Sequence, residues 1–405
     1  MNRFRPGVIL LFIVLASVSA ASGAIPADTD GDLLLTKPEL ASAMLAYLDC
    51  RAGGSCSGAL SGQDLADAAY VFTMWDGKPK QVTDSSGKTR TLTRPLHHIV
   101  VMNSETLETM RSLGVSPSMV TAVDKYIAQK PEFFPEYRKT PSVGSIWAPD
   151  YERILAARPD AVFLYATVSS TECDEIEKRI TSANPEITVF RIDAYHPSTY
   201  LSDVRILGEI FDRQEEGERL TAFYQSVQGT VAAGHASAEK PSVYFETWTD
   251  YKSASEGSGY HDKIEIAGGR NIFAQSAAEY PEVDPEAIIA GQPDVIVKLV
   301  GSGNYVFGGY SGENATRFSA VRDALIARPG WNTLPAVRNG RVFVLHNAVV
   351  GGPQYVIGTA YLASWFYPDR YPDLDPAGVH RTYLRDFQGL DESLARPERF
   401  VYPVP

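Results

Sequence analysis

Apolar residues follow two alternating rhythms along this chain. Short unbroken runs, as in HHIVVM (His97–Met102), PSMVTAV (Pro117–Val123), AVFLY (Ala161–Tyr165) and EITVFRI (Glu186–Ile192), read as strands. Segments of helical period separate them, one beginning near Ser104 and one in YERILAAR (Tyr151–Arg158). The pattern then starts again. PSVYFET (Pro241–Thr247) is a strand, HDKIEIAGGRNIF (His261–Phe273) a helix ending in Gly-Gly, and DPEAIIAGQPDVIVKL (Asp284–Leu299) helix then strand. GRVFVL (Gly340–Leu345) is a further strand, and VIGTAYLASWFY (Val356–Tyr367) reads as a late amphipathic helix. Apolar strands alternating with helices describe parallel sheets covered on both faces. The expected fold class is α/β, with two Rossmann-like lobes over residues 77–197 and 237–405.

Between the lobes, Ser198–Gly234 keeps a helical period through Tyr200, Val204, Leu207, Phe211, Leu220, Tyr224 and Val227, with no proline. At 1.5 Å per residue this predicts one connecting helix over 198–236, about 50 Å long. Alternation around Ser85-Ser86-Gly87 predicts a β-hairpin over Gln81–Thr93.

One unit occurs twice. YERILAARPDAVFLY (Tyr151–Tyr165) lies over PEAIIAGQPDVIVKL (Pro285–Leu299), so that Glu152 meets Glu286, Ile154 meets Ile288, and Pro159-Asp160 meets Pro293-Asp294. Each copy is a short helix, a Pro-Asp turn and an apolar strand. Asp150 and Asp284 stand where they can cap the two helices, and Glu in the first turn suits the helix dipole. Capping alone does not explain why Glu stands at the same offset in both copies.

Residues 25–76 have a different character. In DTDGDLLLTKPEL, Asp28, Asp30, Asp32, Thr36 and Glu39 stand at relative positions 1, 3, 5, 9 and 12, the oxygen-ligand spacing of a calcium loop leading into a helix. Position 6 is Leu33, where the turn wants Gly. Leu40, Met44 and Leu48 form one apolar face of the helix after it. A second loop around Gly58–Asp64 keeps the spacing but few carboxylates. The pair resembles the twin loops of dockerins, so calcium is the one cofactor the sequence suggests, with none required.

Composition narrows the function. The chain has 405 residues, 44% hydrophobic and 21% charged, and suits two or three domains. A net charge of −12 argues against nucleic acid as a partner. Arg3 and Arg5 precede an apolar run from Val8 to Val18 and then small residues, so residues 1–24 read as a secretory signal and the protein as exported. An uncleaved signal would be its only direct membrane attachment. Cys50 and Cys56 flank a Gly/Ser loop and suit a small-loop disulfide, leaving Cys173 over.

No catalytic constellation stands out. GSCSG (Gly54–Gly58) lies in a loop rather than a strand–helix elbow, and GKT (Gly87–Thr89) lacks the first glycine and the helix of a P-loop. Polar and aromatic residues instead cluster past strand ends, where α/β sheets bind ligands. The candidates are Asn103, Ser104, Tyr126, Trp147 and Tyr165 in the first lobe, and Trp248, Tyr251, Tyr260, Tyr305, Arg317 and His346 in the second.

Taken in order, VGSIWAPDYERILAARPDAVFLY, the connecting helix, YFETWTDYKSASEGSGYHDKIEIAGGRNIF, VDPEAIIAGQPDVIV and RPGWNTLPAVRNGRVFVL resemble the helical-backbone substrate-binding proteins of ABC importers, over about residues 78–390. The resemblance implies two rigid lobes around a cleft that takes a ferric siderophore, haem or cobalamin. It implies partners in an importer permease and ATPase, and a permease-docking role for Glu152 and Glu286. Near the expected rim the cations are mainly Lys252 and Arg317, which favours a corrinoid, haem or neutral ferric chelate over anionic catecholates. Two other readings stay open: a cell-surface interaction protein acting through the dockerin-like region, and an exported hydrolase.

Overall fold

The computed structural model describes residues 23–404, so the expected secretory signal lies outside the described residues but for Gly23 and Ala24. The chain divides into two compact units, one of residues up to Lys80 with Thr91–Arg94, the other of Gln81–Arg90 with Pro95 onward.

The smaller unit holds two helices, α1 (Lys37–Arg51) and α2 (Gly62–Met74). Thr36 and Glu39 cap α1 reciprocally, each side chain bonding the other's end of the first turn. Ser61 caps α2 through the Asp64 N–H. A Cys50–Cys56 disulfide closes the loop between the helices, as the spacing suggested. The predicted apolar face of α1 is not a core face. Leu40 is buried, but Met44 and Leu48 are exposed, because a two-helix unit offers little to cover them.

A two-stranded hairpin, β1 (Lys80–Thr83) and β2 (Thr89–Leu92), stands where alternation placed it. Its turn is anchored in the larger unit: Ser85 Oγ donates to Asp203 at 2.6 Å, and the Asp84 carboxylate accepts the Arg191 N–H at 3.2 Å.

The first lobe carries β3 (Ile99–Val101), α3 (Ser104–Ser112), β4 (Val120–Val123) and α4 (Lys125–Ala128). A small ribbon of β5 (Gly144–Ser145) and β6 (Ala148–Pro149) leads into α5 (Tyr151–Ala156), β7 (Ala161–Leu164), α6 (Ser170–Ala183) and β8 (Thr188–Arg191). The sheet order is β4-β3-β7-β8, all parallel. Every residue of β3 and β7 is buried, as strands covered on both faces require.

The connecting segment is two helices rather than one. The first, α7 (Tyr200–Phe211), stops at Asp212, whose backbone is left-handed (φ 54°), and α8 (Gln214–His235) folds back against it. The Tyr200 and Tyr224 rings lie 4.8 Å apart, and Gly217 packs beside Val204, contacts a continuous helix would forbid. A helical period runs through such a turn undisturbed, since both helices bury their apolar faces in each other. The crossing element is therefore α8 alone, 22 residues or about 33 Å.

The second lobe follows with β9 (Ser242–Glu246), α9 (Gly259–Ile266), β10 (Arg270–Asn271), α10 (Pro285–Gly291), β11 (Val295–Val300) and α11 (Arg317–Ile326). After it come α12 (Pro335–Arg338), β12 (Val342–His346), α13 (Tyr355–Phe366), α14 (Pro376–Thr382) and β13 (Val401–Tyr402). The order is β10-β9-β11-β12-β13, parallel except for β13. Helix α13 is buried on nearly every side, packed by α8, α9 and α14, so the expected amphipathic helix is a core helix.

The repeated unit is a structural repeat. Ile154 and Ile288 are both fully buried, one in each lobe's core. Each Pro-Asp turn is entered through a left-handed residue, Arg158 (φ 47°) or Gln292 (φ 41°). The Asp160 carboxylate accepts the N–H groups of His97 and His98, at 2.6 and 2.8 Å, just before β3. The Asp294 carboxylate accepts the N–H and hydroxyl of Ser242 at the start of β9, at 2.8 and 2.7 Å.

Candidate functional site

The two parallel sheets of the larger unit present their carboxyl ends to a cavity of about 280 Å³. The first lobe contributes Ser104, Glu105 and Glu108 from α3, directly after β3, and Gln129, Lys130 and Glu132–Phe134 after α4. The second contributes Gly301 after β11, His346 and Asn347 at the end of β12, the loop Val306–Ser311, and Gly351–Gln354 before α13. A crevice beyond the strand ends is where such sheets bind ligands, since helix starts and loops there leave polar groups unpaired by the sheet.

Its floor is a buried polar network joining the lobes. Glu108 Oε1 accepts from the Tyr383 hydroxyl at 2.6 Å and from Gln354 Nε2 at 3.0 Å. The Tyr310 hydroxyl donates to Gln354 Oε1 at 2.5 Å, and it lies 2.8 Å from His380 Nε2. Arg111 donates to Gln388 at 2.6 Å and to Glu136 at 3.0 Å. Burial pushes the Glu108 carboxyl up to about 7, against the opposing pull of Tyr383, Arg111 and Gln354.

The walls are acidic. Glu105, Glu108, Glu132 and Glu313 line the cavity, and Lys130 is its one lining lysine or arginine. The Glu105 carboxylate accepts from the Tyr165 hydroxyl at 2.6 Å and Ser104 at 3.1 Å. His346 is neutral: burial holds it down to about 4, and its Nδ1 accepts the Ala348 N–H at 3.0 Å. Gly301 and Gly309, both at positive φ, give the imidazole its place, since a Cβ on either would meet the ring within 2.6 Å.

The structure gathers only some of the predicted ligand residues here. Ser104 and His346 line the cavity. Tyr165 and Tyr260 reach its edge, through Glu105 and through a 2.5 Å bond from the Tyr260 hydroxyl to Asn347. Trp248 lies edge-on to Tyr260, 6.2 Å between centroids. Asn103 is buried instead as the cap of α3, its amide donating to the Ile192 carbonyl at 2.7 Å. Tyr126 and Trp147 form an exposed edge-to-face pair, with the indole donating to Ser169 at 3.0 Å.

Tyr251 and Tyr305 belong to an ion cluster inside the second lobe. There Lys298 bonds Glu246 (2.7 Å) and Asp250 (2.8 Å), and Arg328 clamps Glu246 at 2.6 and 3.0 Å. Tyr305 donates to Asp250 at 2.7 Å, and the Arg328 guanidinium lies 4.2 Å over Tyr251. Arg317 stacks on Phe307 outside the cavity lining. Sequence reading passed over Glu105, Glu108, Gln354 and Tyr383. The available signal was the i, i+3 pair of glutamates on the helix that opens directly after β3.

Glu152 and Glu286 are exposed, each the second residue of its helix, α5 or α10. Asp150 caps α5 through the Arg153 N–H, and Asp284 caps α10 through the Glu286 N–H. Neither glutamate side chain has an ion-pair or hydrogen-bond partner among the described residues. In the smaller unit, the Asp28, Asp30 and Asp32 carboxylates come within 4.8 Å of one another. Leu33 takes the left-handed turn (φ 62°) expected of a glycine there. Glu39 does not join the three. Its oxygens accept from Thr29 and Thr36, and these bonds hold its carboxyl down to about 2. Thr36 is likewise engaged in the cap. No helix among the described residues is long and apolar enough to cross a membrane.

Comparisons with known proteins agree with this architecture. A cobalamin-binding protein of Halobacterium salinarum is 26% identical over 307 residues, 72% of this chain and 71% of its own length. The molybdate-binding protein MolA of Haemophilus influenzae is 20% identical over 335 residues, 76% of this chain and 90% of its own. Among solved structures, the TroA-like periplasmic binding protein FepB of Veillonella parvula superposes with a TM-score of 0.66 at 21% identity, covering 77% of this chain and 97% of that one. Molybdate-bound MolA gives 0.62 at 19% identity, over 77% and 98%. The family model for periplasmic binding proteins matches residues 99–349, and the chain belongs to that family of extracytoplasmic substrate-binding proteins, which are not enzymes.

Proposed function

We propose that the protein captures a bulky metal chelate, a corrinoid, haem or neutral ferric siderophore, between its lobes and delivers it to an ABC importer permease. The observation that carries this reading is the inter-lobe cavity at the strand ends, with aromatic residues at its edge and carboxylates in its walls. Relatives bind molybdate or cobalamin. A small dianion such as molybdate is disfavoured here, since four glutamates and a single lysine line the cavity. At about 280 Å³ the cavity falls just below the range of drug-sized ligand pockets, so a haem or corrinoid would fill it and extend along the aromatic edge. Fluorescence quenching against cyanocobalamin, haemin, a ferric hydroxamate and molybdate tests this. Saturable quenching by one of the first three is expected, and tight binding of molybdate alone would refute it.

Delivery would use Glu152 and Glu286, the two exposed and unpartnered carboxylates at matching helix starts, as contacts for permease arginines. The permease's ATPase would complete the importer. Calcium at Asp28, Asp30 and Asp32 is a subsidiary proposal, favoured by the convergence of the three carboxylates. Calorimetric titration of the full chain should show calcium binding that is lost in Asp28→Asn with Asp32→Asn, and no heat in the parent chain would rule it out.

A further inference from the structure

Lys263, on α9, is 2% exposed, its amine makes no hydrogen bond or ion pair among the described residues, and the amine is not fully sealed from solvent. Its one close partner is the face of Tyr260, 4.7 Å from the ring centroid. Buried lysines are rare unless paired, because removing an ammonium from water costs several kcal/mol that only an anion offsets. The side chain folds back over the first turn of its own helix. A methyl group built on Gly259 would meet the Lys263 amine at 3.5 Å, Pro197 at 3.8 Å and Tyr195 at 3.9 Å. A cation and the positive end of the α9 dipole thus meet in one small space, closed on its far side by the first lobe. Asp262 and Glu105 supply negative charge from further off, Glu105 being bonded to Tyr165 and Ser104. Burial nonetheless holds the amine down to about 7.

The place matters as much as the charge. Tyr260, beneath the amine, donates to Asn347 in the cavity wall. Tyr280 and Trp248 lie edge-on to Tyr260, and Tyr195 lies edge-on to Tyr165. The side chains between Asn347 in the cavity wall and the Lys263 amine are therefore aromatic, and among the described residues none pairs with the amine by a hydrogen bond or an ion pair.

We infer that Lys263 receives a single oxyanion group of the cleft ligand, a carboxylate or a phosphodiester, placed beside Gly259 while the flat apolar body of that ligand lies against the tyrosines. The inference rests on the chelate reading above and adds to it the charge class of the guest. The cavity carboxylates disfavour negative charge in the cavity itself, and Lys263 selects a ligand that presents one acidic arm outside it, beside Gly259.

Two pairs of probes test it, in wild type and in Lys263→Met, which keeps the length and apolar contacts of the stem. Haemin against its dimethyl ester reports a carboxylate, and cyanocobalamin against cobinamide, which lacks the phosphodiester with the rest of its nucleotide, reports a phosphodiester through the part of the difference that Lys263→Met removes. In at least one pair, the member that carries the acidic group should bind wild type about tenfold more tightly than the one that lacks it, as expected of a charge-assisted hydrogen bond, and that ratio should fall about tenfold in K263M, an unchanged ratio overturning the assignment. Equal affinities within each pair in wild type would overturn the assignment. If no chelate binds at all, the chelate reading fails, and the Lys263 Nζ resonance in 15N-lysine protein decides the anion site by itself. A saturable shift of that resonance with acetate or inorganic phosphate, not shared by the other lysine amines, would support it, and no shift with either would overturn it.

Discussion

The Tyr383 hydroxyl donates a 2.6 Å hydrogen bond to Glu108, tying the floor of one lobe to the other across 275 residues of sequence. Gln354 donates to the same oxygen, so the second carboxylate oxygen can carry the proton without disturbing either bond. Burial raises the Glu108 carboxyl from its ordinary 4.5 to about 7. Between those values the folded protein holds a proton that the unfolded chain lacks, so stability falls as pH rises through 7. Glu108→Gln keeps the acceptor oxygen and removes the charge. It should exceed wild type in stability by about 1–3 kcal/mol at pH 8 and match it near pH 4.5, measured by urea unfolding.

Lys263 gives the opposite pH signature. Its folded value is lowered from 10.5 to about 7, so between these the unfolded chain binds the extra proton and stability rises with pH. Lys263→Met should therefore raise the unfolding temperature of the ligand-free protein by several degrees at pH 6, with the gain shrinking as pH approaches 10. An equal gain at both pH values would remove desolvation of the ammonium as the cause.

The two Pro-Asp turns should be equally intolerant of truncation. Asp160→Ala removes the acceptor of the His97 and His98 N–H groups, and Asp294→Ala removes that of the Ser242 N–H and the nearest acceptor of its hydroxyl. Each should cost about 1–2 kcal/mol in denaturant unfolding, and Asn, which keeps one acceptor oxygen, should recover roughly half.

Charge reversal at Glu152 and Glu286 breaks no ion pair or hydrogen bond among the described residues, so chelate affinity should stay as in wild type and stability should fall only by the helix-dipole term, about 0.3–1 kcal/mol at each site. Uptake by proteoliposomes holding the cognate permease and ATPase should fall by an order of magnitude or more in the double variant. Undiminished uptake would remove these glutamates from docking.

Much of the fold was legible because it rests on local rules. Apolar runs of strand length, the capping aspartates Asp150 and Asp284, and the twin Pro-Asp turns each carry their meaning in a few adjacent residues. The break at Asp212 escaped because helical periodicity is blind to a single left-handed residue when both flanking helices bury the same kind of face. The cleft was less legible. Aromatic content alone cannot separate Tyr260, at the cavity edge, from Tyr251, stacked under Arg328 in the lobe interior. Glu108, Tyr383 and Lys263 take their character from burial by segments far away in the chain, which no local window displays.

The separation from Glu152 to Asp160 equals that from Glu286 to Asp294, eight positions in each copy. In both, the aspartate pins the turn to a strand and the glutamate rides on the helix before it. One inserted residue between them would swing its glutamate about 100° around the helix axis, with the core end still clamped. The direction in which each carboxylate faces outward is thus written into the protein as a phase, set by chain length and the same in both halves.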